Sequence, residues 1–368
     1  MEIKQWKDVL HIVSGKNQKA VENPNGKYPI YGSGGLMGYA DDYLCEAGTT
    51  IVGRKGTINR PIFVPEPFWN IDTAFGVVPD KELDPKYLYY FCVHFNFMPL
   101  DKSTGRPSIA KSDLLKIEMP VPPLPEQERI VARIEELFSQ LDAGVETLKK
   151  TKAQLAVYRQ AVLKEAFSCC AEKKPIREMS SIVTSGSRGW AKYYCDNGAK
   201  FIRIGNLTRN KIYIDLDDIQ HVQLPDKAEG TRTKLAPNDV LVSITADLGS
   251  IGLVPNGIGE AYVNQHIAMI RFNNQMQGEF YAWYLRSEYG QQDLLRNKRG
   301  GGKLGLGLDD IRDSRVPVVS NETAESILSI IECRLSVCDS IEHTVDLALQ
   351  QAEAMRQSIL KDAFEGRL

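Results

Sequence analysis

Two loops combine basic side chains, hydroxyl groups and glycine, which are the groups that proteins use to hold phosphate oxygens. The first is D-K-S-T-G-R-P-S, from Asp101 to Ser108, and the second is K-R-G-G-G-K, from Lys298 to Lys303. Cationic side chains, hydroxyls and backbone N–H groups in such loops contact phosphates and fix the register of a nucleic acid. The two loops therefore predict phosphate contacts, and a solvated surface loop is the alternative interpretation of each.

Other basic and amide side chains could read bases directly. Arginine and asparagine can make paired hydrogen bonds to the edges of guanine and adenine, respectively. Taken singly, each such residue is more often a solvated surface group than a base contact. The full candidate set for nucleic-acid contact is Arg54, Lys55, Lys102, Ser103, Thr104, Arg106, Lys111, Arg188, Arg203, Asn206, Arg209, Lys298, Arg299 and Lys303.

Residues that would support catalysis are scarce. The run G-G-G-K-L from Gly300 lacks both the spacing and the hydroxyl of a nucleotide-binding P-loop. Asp80 and Asp84 are too close together for a nuclease metal motif, which favours a polar turn. The histidines are isolated, and His266 is better interpreted as a hydrogen-bonded strand residue than as a base. The asparagine-proline-proline-aromatic motif of an amino-methyltransferase is absent. We therefore expect no catalytic or metal-binding residue in this chain.

Composition indicates a globular protein of two or three domains. The chain has 368 residues, of which 43% are hydrophobic and 25% are charged, as in ordinary soluble proteins. It contains no run of about 18 apolar residues, so no membrane span is expected, and its start lacks the apolar core of a signal peptide. The seven scattered cysteines predict free buried thiols rather than disulfides or a zinc site. Together these features predict a cytoplasmic protein.

The net charge of −2 is distributed unevenly along the chain. Residues 126–167 contain seven acids and seven bases, whereas residues 322–368 contain nine acids and four bases. The two segments carry 0 and −5, so the rest of the chain carries +3. A mildly basic remainder is compatible with nucleic-acid binding.

A long helix is predicted near the middle of the chain, at about residues 124–168. No proline interrupts Glu126–Phe167, and apolar residues recur there at intervals of three and four residues or their multiples, which is the pattern of an amphipathic helix. Prolines at positions 120, 122, 123 and 125 stand just upstream, where a helix tolerates them.

The chain repeats this helix 197 residues later. R-Q-A-V-L-K-E-A-F from Arg159 corresponds to R-Q-S-I-L-K-D-A-F from Arg356, within an alignment that needs no gap. Two related helices with sustained heptads are expected to pair as an antiparallel coiled coil, and two unrelated core helices are the alternative. The residues predicted to pair the helices are Ile130, Ile134, Leu137, Leu141, Leu148, Leu155, Ile327, Ile331, Ile341, Val345, Met355 and Ile359.

The globular parts of the chain repeat as well. K-Y-P-I-Y-G-S-G from Lys27 corresponds to K-F-I-R-I-G-N-L from Lys200, and Pro120 falls on Pro317 at the offset of 197. Short apolar runs between glycines and prolines predict strands joined by turns, and a helix is predicted over residues 85–95. The predicted fold class is α+β, with two mixed α/β domains of similar topology, two long paired helices and internal pseudo-two-fold symmetry. The predicted segments are 1–122, 123–169, 170–319 and 320–368.

Three segments resemble one known family. P-P-L-P-E-Q-E-R-I-V-A-R-I from Pro122 to Ile134, the helix end Y-R-Q-A-V-L-K-E-A-F and its copy R-Q-S-I-L-K-D-A-F resemble regions of the specificity subunits of type I restriction-modification systems. The resemblance covers the whole length of the chain. The second copy departs from the pattern because V-P-V-V-S-N-E-T-A-E replaces the proline-rich start of the helix, so a differently built junction is expected there.

The resemblance implies that each globular part is a target recognition domain that reads half of a split site in double-stranded DNA. The paired helices would set the spacer, about six to eight base pairs for helices of this length, and would dock two modification subunits. Those subunits would bind S-adenosylmethionine and methylate adenine, and restriction subunits that use ATP and Mg²⁺ would join them. This chain would therefore be a non-catalytic subunit without a cofactor of its own. Its acidic second helix would face a partner protein rather than DNA.

Two other functions are alternatives. A related scaffold that docks partners but has lost DNA recognition would keep the same helices, and absent or salt-insensitive DNA binding would identify it. A self-sufficient nuclease or methylase would need a catalytic site that the sequence does not provide, and activity of the purified chain alone would support it.

Overall fold

The chain folds into two compact units, each of which combines one α/β domain with parts of two long helices. Unit 1 consists of Met1–Lys150 and Val345–Leu368, and unit 2 consists of Thr151–Thr344. The predicted α+β fold class is confirmed, and the division of the chain at residues 122, 169 and 319 stays a prediction. The computed structural model describes residues 2–209, 211–225, 232–296 and 305–368.

The described residues of domain 1, the α/β domain of unit 1, form three small sheets. Its elements are, in chain order, β1 (Ile3–Gln5), α1 (Trp6–Val9), β2 (Leu10–Ser14), β3 (Tyr28–Gly32), β4 (Gly35–Ala40), β5 (Thr49–Gly53), β6 (Ile62–Val64), β7 (Trp69–Asn70), β8 (Ala74–Pro79), α2 (Pro85–His94), α3 (Lys111–Leu114) and β9 (Glu118–Pro120). Strands β2, β8, β5 and β6 form an antiparallel sheet in that order, β4, β3 and β7 form a second, and β1 pairs with β9.

The core of domain 1 follows from the sequence of its central strand and its main helix. The run T-T-I-V-G of β5 is buried along its whole length, as expected for a β-branched strand with a neighbour on each side and both faces covered. Helix α2 begins at a proline and is capped by Asp84, whose carboxylate accepts a hydrogen bond from Tyr87 N (2.8 Å). It packs Phe91 edge-on against the fully buried Trp6. The predicted helix over residues 85–95 is therefore confirmed.

Helix α4 (Leu124–Ala166) leads from domain 1 to domain 2, the α/β domain of unit 2. The elements of domain 2 are β10 (Lys173–Pro175), α5 (Ile176–Met179), β11 (Ser180–Ser185), β12 (Tyr194–Cys195), β13 (Ala199–Ile202), β14 (Gln220–Val222), β15 (Val240–Ser243), β16 (Ile251–Leu253), β17 (Ala261–Val263), β18 (Ile267–Phe272), α6 (Gly278–Arg286), α7 (Glu288–Leu295), α8 (Leu308–Asp313) and β19 (Arg315–Pro317). The sheets have the orders β11-β18-β15-β16, β12-β14-β13-β17 and β10-β19.

The two domains repeat the same order of elements. The segments β1-α1-β2 and β10-α5-β11 begin 170 residues apart, whereas β9 and β19 begin 197 residues apart, so domain 2 has 27 additional residues between these points. In both domains the first and last strands pair antiparallel (β1 with β9, β10 with β19). Each domain also contains a parallel pair (β3 with β7, β13 with β17). The internal repeat of the sequence is therefore a repeat of topology.

A close approach between backbone segments recurs at the end of the second strand of each repeat. Gly15 follows β2, and a Cβ atom there would lie 1.8 Å from Ile71 O. Gly186 follows β11, and a Cβ atom there would lie 2.0 Å from Val263 O. Since no side chain fits at either position, glycine is required at both.

The long helices α4 and α9 (Asn321–Phe364) pack antiparallel. In unit 2, Arg159 of α4 pairs with Asp339 of α9, and in unit 1, Arg356 of α9 pairs with Asp142 of α4. The two residue numbers add up to 498 in both pairs. A constant sum is expected for helices that run in opposite directions, because moving forward along one helix means moving back along the other. The predicted antiparallel pairing is confirmed, and so is the predicted extent of the first helix to within two residues.

The seam between the helices contains most of the side chains predicted for it. The buried ones are Ile130, Ile134, Leu155, Ile327, Ile331 and Val345, and the half-buried ones are Leu137, Leu141, Leu148 and Ile359. Ile341 and Met355 are instead 41% and 55% exposed. Their predicted place in the seam is therefore wrong.

The register of α9 explains this correction. Its seam follows one heptad of buried residues, which are Ala324, Ile331, Cys338, Val345 and Ala352. The positions four residues after these also face α4, and there Glu342 and Arg356 make ion pairs with it. Ile341 and Met355 each stand one residue before Glu342 and Arg356, which turns them by about 100° away from the side chains that pair with α4. The polar residues Glu342 and Arg356 thus occupy the seam positions that the apolar stripe assigned to Ile341 and Met355.

The two long helices begin in different ways, as the sequence predicts. At the start of α4, the buried Gln127 donates hydrogen bonds to two backbone carbonyl groups of domain 1. At the start of α9, the glutamine belongs to domain 2: Gln277 donates to Val319 O (3.1 Å) and to Asn321 Oδ1 (2.9 Å). A buried glutamine therefore fixes each helix to its domain, once from the helix and once from the domain.

The cysteines are free, but not all of them are buried. Cys169 and Cys333 are exposed and Cys195 is half-buried, whereas the other four are buried. The prediction of buried thiols is therefore wrong for Cys169, which follows the end of α4, and for Cys333, which lies on the exposed side of α9. Among the residues with described positions, no group of His, Cys, Asp and Glu side chains could hold a metal ion. No helix within the described ranges is long and apolar enough to cross a membrane.

Candidate nucleic-acid interface

Domain 1 has a cleft of about 530 Å³ that is lined by four of the predicted nucleic-acid contacts. Arg54 follows the last residue of β5, Lys111 is the first residue of α3, and Lys102 and Ser103 lie in the predicted phosphate loop. The other lining residues are Ser14, Phe75, Leu100, Ser108, Ile109, Ala110 and Asp113. The fold thus collects basic residues from three separate segments at this site, which we call the basic cleft.

The predicted phosphate loop of domain 1 is held in shape by one carboxylate. Asp101 accepts hydrogen bonds from Ser103 N and Ser108 N, each at 3.0 Å. These bonds hold the pKa of Asp101 below its usual value, because they stabilise the charged form. With the loop fixed in this way, the side chains of Thr104 and Arg106 are presented to solvent.

The turn after β5 lies against the phosphate loop. Gly56 N donates to Pro107 O (2.8 Å), and Lys55 forms a β-bridge with Ser108. Gly56 has a φ of +85°, and a Cβ atom there would lie 2.7 Å from Arg106 Nη2. The guanidinium group therefore rests directly on a glycine, which alone fits this position without strain. As a result, the exposed Lys55 stands next to Arg106.

The two lysines of the basic cleft have internal partners that a ligand could replace. Lys102 Nζ lies 2.8 Å from Asp113 Oδ2, and this hydrogen bond is the main reason that the pKa of Asp113 is lowered. Lys111 Nζ donates to Ile12 O (2.6 Å). Lys102 is exposed, and exposed ion pairs contribute little to stability. A phosphate group can therefore take the place of Asp113 beside Lys102 at small cost.

Arg54 is oriented by its neighbours but not neutralised. Its guanidinium group lies 5.7 Å from the centre of the Phe75 ring, which is a cation–π contact. Its nearest hydrogen-bond acceptor is Asp72 O, at 3.4 Å from Nη1, and none of the carboxylates with described positions pairs with it. A guanidinium group that is fixed but still charged is suited to paired hydrogen bonds with guanine or phosphate.

Domain 2 has a cleft of about 560 Å³ with a more acidic lining, which comprises Arg203, Ile204, Gly205, Asn206, Asp215, Asp217, Asp218, Asn264 and His266. Asn206 is only 4% exposed. Its Oδ1 accepts from Arg203 N (2.8 Å), and its Nδ2 donates to Asp215 O (2.9 Å) and Asp218 O (3.1 Å). The predicted base contact of Asn206 is therefore wrong, because the amide is used to hold the surrounding loop.

The side chain of Arg209 also has a partner within domain 2. Its guanidinium group makes two hydrogen bonds to Asp247, with Nη2–Oδ1 at 2.6 Å and Nε–Oδ2 at 3.3 Å. Arg209 and the Ser250 hydroxyl group together lower the pKa of Asp247, because both stabilise its charged form. A base contact by Arg209 would require this pair to open.

The remaining candidates of domain 2 are less constrained. Arg203 lies 3.8 Å from Asp218 in a loose ion pair, and Arg188 is exposed. His266 precedes β18 and shares a hydrogen bond with Thr245 Oγ1 (2.8 Å), in keeping with its interpretation as a hydrogen-bonded strand residue. The candidates Lys298, Arg299 and Lys303 lie outside the described residues.

The two domains place different residues at equivalent positions. Arg54 N and Ile244 N make the same backbone hydrogen bond, in each case to the carbonyl group just before β8 or β18. Lys111 and Leu308 are the first residues of α3 and α8, respectively. Two cations of the basic cleft therefore have apolar counterparts in domain 2, and the domains present different chemistry to a ligand.

The residues that orient the cations were not predicted from the sequence. The spacing of Asp101 and Ser103 is typical of a turn in which an aspartate accepts a hydrogen bond two residues further on, so that signal was present. The contact of Arg54 with Phe75 had no such signal. It depends on the register that pairs Val52 with Phe75 between β5 and β8, which only the folded sheet defines.

Comparisons with known proteins agree on one family. The family described as "Type I restriction modification DNA specificity domain" matches residues 1–156 and again residues 172–351. The type I restriction enzyme EcoBI specificity subunit of Escherichia coli is 24% identical over 351 residues, which cover 86% of this chain and 73% of that one. A putative type I restriction enzyme specificity subunit of Haemophilus influenzae is 22% identical over 372 residues, which cover 95% and 92% of the two chains.

Solved structures share the fold. A chain from a structure that describes complex assembly and conformational transition of a type I R-M system superposes with a TM-score of 0.76 at 16% identity, covering 100% of this chain and 98% of that one. The HsdS subunit from Thermoanaerobacter tengcongensis superposes with a TM-score of 0.53 at 16% identity, covering 100% and 97%. At this level of identity the likeness concerns the fold alone.

Proposed function

Because the chain belongs to the type I restriction modification DNA specificity family, we propose that it directs such a complex to a bipartite site in double-stranded DNA. It is a specificity subunit that carries the DNA specificity domain twice. In this proposal each domain reads one half of the site, and the paired helices set the number of base pairs between the halves.

The observation that carries the proposal is the repeated domain, matched twice by the family and built twice with one topology. Since the two clefts differ in their side chains, they are suited to two different short sequences. The basic cleft offers cations for phosphate and guanine contacts. The cleft of domain 2 combines Arg203 with aspartates such as Asp217, whose carboxylates can accept a hydrogen bond from cytosine N4.

Most of the predicted contact residues keep their proposed role. In domain 1 they are Arg54, Lys55, Lys102, Ser103, Thr104, Arg106 and Lys111, and in domain 2 they are Arg188 and Arg203. Their proposed role rests on their exposure or half-exposure and, except for Arg188, on their position at the clefts and loops described above. Asn206 and Arg209 are excluded from this set because their side chains already hold the domain together.

Exposed apolar side chains on the long helices support docking of a protein partner. Tyr158 and Met355 are both exposed and lie 197 residues apart, so they stand at equivalent points of α4 and α9. In unit 2, Ile330 and Val337 add exposed apolar surface to α9. Tyr158 and Met355 mark two equivalent points, which suit two copies of one partner, and we assign these points to two modification subunits.

The chemistry of the complex belongs to its partners in this proposal. The modification subunits bind S-adenosylmethionine and methylate an adenine in each half-site, and restriction subunits that use ATP and Mg²⁺ complete the complex. This chain contributes DNA recognition and the geometry of assembly, and it acts in the cytoplasm.

Methylation mapping tests the proposal. The chain is co-expressed with its modification subunit in a host that lacks DNA methylation, and the host DNA is sequenced for methylated adenine. We expect a split motif that is lost when this chain is omitted. A complex that assembles but methylates no defined motif would instead identify a docking scaffold without DNA recognition.

A further inference from the structure

We propose that the hairpin of β3 and β4 enters the major groove of the half-site read by domain 1, and that Leu36 and Met37 at its tip contact base edges there. The proposal rests on the DNA-reading function proposed above. It adds two apolar specificity-determining residues to a surface so far described by its charges.

The tip of the hairpin is tight and stands in open space. Gly32 pairs with Gly35, so Ser33 and Gly34 form a two-residue connection. A Cβ atom on Gly34 or Gly35 would meet no other atom within 4 Å. Strand β4 is also the edge of its sheet. The tip is therefore accessible to a large ligand without any rearrangement of domain 1.

A β-bulge presents two consecutive apolar side chains beside this tip. Tyr31 pairs with Leu36, but the next pair is Ile30 with Gly38, so Met37 is the extra residue of the bulge. Bulges redirect side chains that would otherwise alternate between the two faces of a sheet. Leu36 is 53% exposed and Met37 is 60% exposed. Adjacent exposed apolar residues on an edge strand favour association, which indicates that a partner covers them.

The charges around the hairpin point to DNA as that partner. Ser33 Oγ donates to Lys55 O (2.7 Å), which ties the tip to the cationic turn that carries Lys55 and Arg54. Asp41 and Asp42 follow β4 at the opposite end of the hairpin, where they outnumber Lys27, the residue before β3. A phosphate backbone that approaches this surface is therefore attracted to the tip and repelled from the base of the hairpin. The major groove, about 12 Å wide, accepts a two-stranded β-ribbon.

Thymine supplies the chemical group that these side chains would recognise. Its C5-methyl group is the apolar feature of the major groove, and apolar side chains contact it. Domain 2 provides an internal comparison, because β13 pairs there with β14, which is separated from it by residues 203–219. In the described part of domain 2, no two-residue hairpin occupies the corresponding place. The effect should therefore be confined to one half-site.

The first test compares the methylation motifs of three complexes reconstituted with the modification subunit. They contain the wild-type chain, the double variant Leu36→Ser with Met37→Ser, and the control Met276→Ser, which changes a 73% exposed methionine of domain 2. We expect the double variant to relax base preference in the half-site that Arg54→Gln also alters, with the other half-site unchanged. The control should keep the wild-type motif.

The second test uses synthetic sites in which each thymine of that half-site is replaced in turn by uracil, which removes only the methyl group. A half-site that is methylated on adenine contains at least the opposing thymine. The wild-type complex should lose affinity about fourfold at one or more positions, which corresponds to one buried methyl group. The double variant should bind the thymine and uracil forms of the site equally.

Three outcomes would overturn the proposal. One is an unchanged motif in the double variant, and another is a wild-type complex that is insensitive to every uracil. The third is a uniform loss of methylation with unchanged base preference, which would show that the hairpin contacts the modification subunit. Thermal unfolding of the variants verifies that they are folded. If the wild-type complex yields no split motif, it is the function proposed above that fails, so the two failures are distinguishable.

Discussion

Arg159 donates a hydrogen bond to Asp339, with Nη2 and Oδ1 2.6 Å apart, and the residues 197 positions away, Arg356 and Asp142, form the same ion pair. Each pair links α4 to α9, one in unit 2 and the other in unit 1. The offset of 197 residues in the sequence repeat therefore has a physical basis at these positions: both copies keep an arginine and an aspartate that pair the helices. One interaction is used twice because α9 repeats the sequence of α4 and pairs with it in the antiparallel direction within each unit.

Double-mutant cycles should find similar coupling in the two ion pairs. We expect a coupling free energy of about 1 kcal/mol between Arg159→Met and Asp339→Asn, and a similar value between Arg356→Met and Asp142→Asn. Urea unfolding of the single and double variants measures it. The exposed pair Arg133–Glu136 lies within one helix and is the control, with weaker coupling. A strong coupling in one pair and none in its repeat would contradict the symmetric interpretation.

Lengthening both helices should lengthen the spacer of the DNA site. Seven residues are inserted after Lys150 in α4 and after Leu347 in α9. The insertions keep the heptads in register because the two positions lie opposite each other: their flanking residues add up to 498, as in the two ion pairs between the helices. Seven helical residues add about 10 Å, or about three base pairs. Methylation mapping should show both half-sites unchanged and a longer gap between them. Altered half-sites with a constant gap would refute the role of the helices as a ruler.

Arg54 and Lys55 should affect binding in different ways. Arg54 is oriented by Phe75 and is suited to a base, so Arg54→Gln should relax one position of one half-site and cost about 1–3 kcal/mol there. Lys55 is exposed, so Lys55→Gln should weaken binding to all sequences alike and lower the slope of log affinity against log salt concentration by about one. DNA-binding isotherms at several salt concentrations separate the two. Equal loss of specificity in both variants would disprove the assignment.

Two glycines at equivalent positions should tolerate no side chain. Gly15→Ala and Gly186→Ala would each place Cβ within 2.0 Å of a carbonyl oxygen, which should destabilise the protein by about 3 kcal/mol or more. Gly144→Ala is the control, because its Cβ atom would meet nothing within 4 Å in the middle of α4. There alanine should stabilise by about 0.5–1 kcal/mol. The free energies of unfolding provide the comparison, and a neutral effect at Gly15 would refute the predicted clash.

His94 should make stability depend on pH in the mildly acidic range. Burial against the stacked Phe364 ring lowers its pKa, Lys361 acts in the same direction, and Glu365 opposes them. The unfolded chain therefore takes up this proton at a higher pH than the folded chain does. The stabilisation is complete above the unfolded pKa of about 6.5 and is lost progressively as pH falls below it. The slope of the unfolding free energy between pH 5.5 and 7.5 should be steeper for the wild type than for His94→Gln. Parallel slopes would argue against a shifted His94.

The long helices and the repeat could be predicted from the sequence, because hydrophobic periodicity and internal identity can be recognised without knowing which segments meet in the fold. It also predicted which residues could contact DNA, and that part stays a prediction. It could not show that Arg54, Lys102 and Lys111 meet in one cleft, because this depends on the register of a sheet whose strands are far apart in the chain. Nor could it show that Asn206 is buried, since the partners of its amide are backbone groups of a loop that closes only on folding.

The prediction that Ile341 and Met355 lie in the seam was wrong for a related reason. Ile341 and Met355 have the right polarity for a seam, but they differ by one residue from positions that face α4. At 3.6 residues per turn, that single step moves a side chain by about 100°. The choice between Ile341 and Glu342 is made by Arg159, which pairs with Glu342 across the helices. Polarity alone cannot predict a seam that uses ion pairs.

The ladder between β1 and β9 has a consequence for how such a protein can change. It pairs Ile3 with Pro120, and β10 and β19 pair Lys173 with Pro317 in the same manner. The chain therefore enters and leaves each domain at neighbouring points, next to the start of a long helix. Domain 2 holds 27 more residues than domain 1 between these points, yet both ladders and both helices keep their form. Everything beyond the ladder can thus be exchanged, enlarged or trimmed as a cassette, and under the proposed function such an exchange would change the DNA sequence that is read while the long helices stay the same.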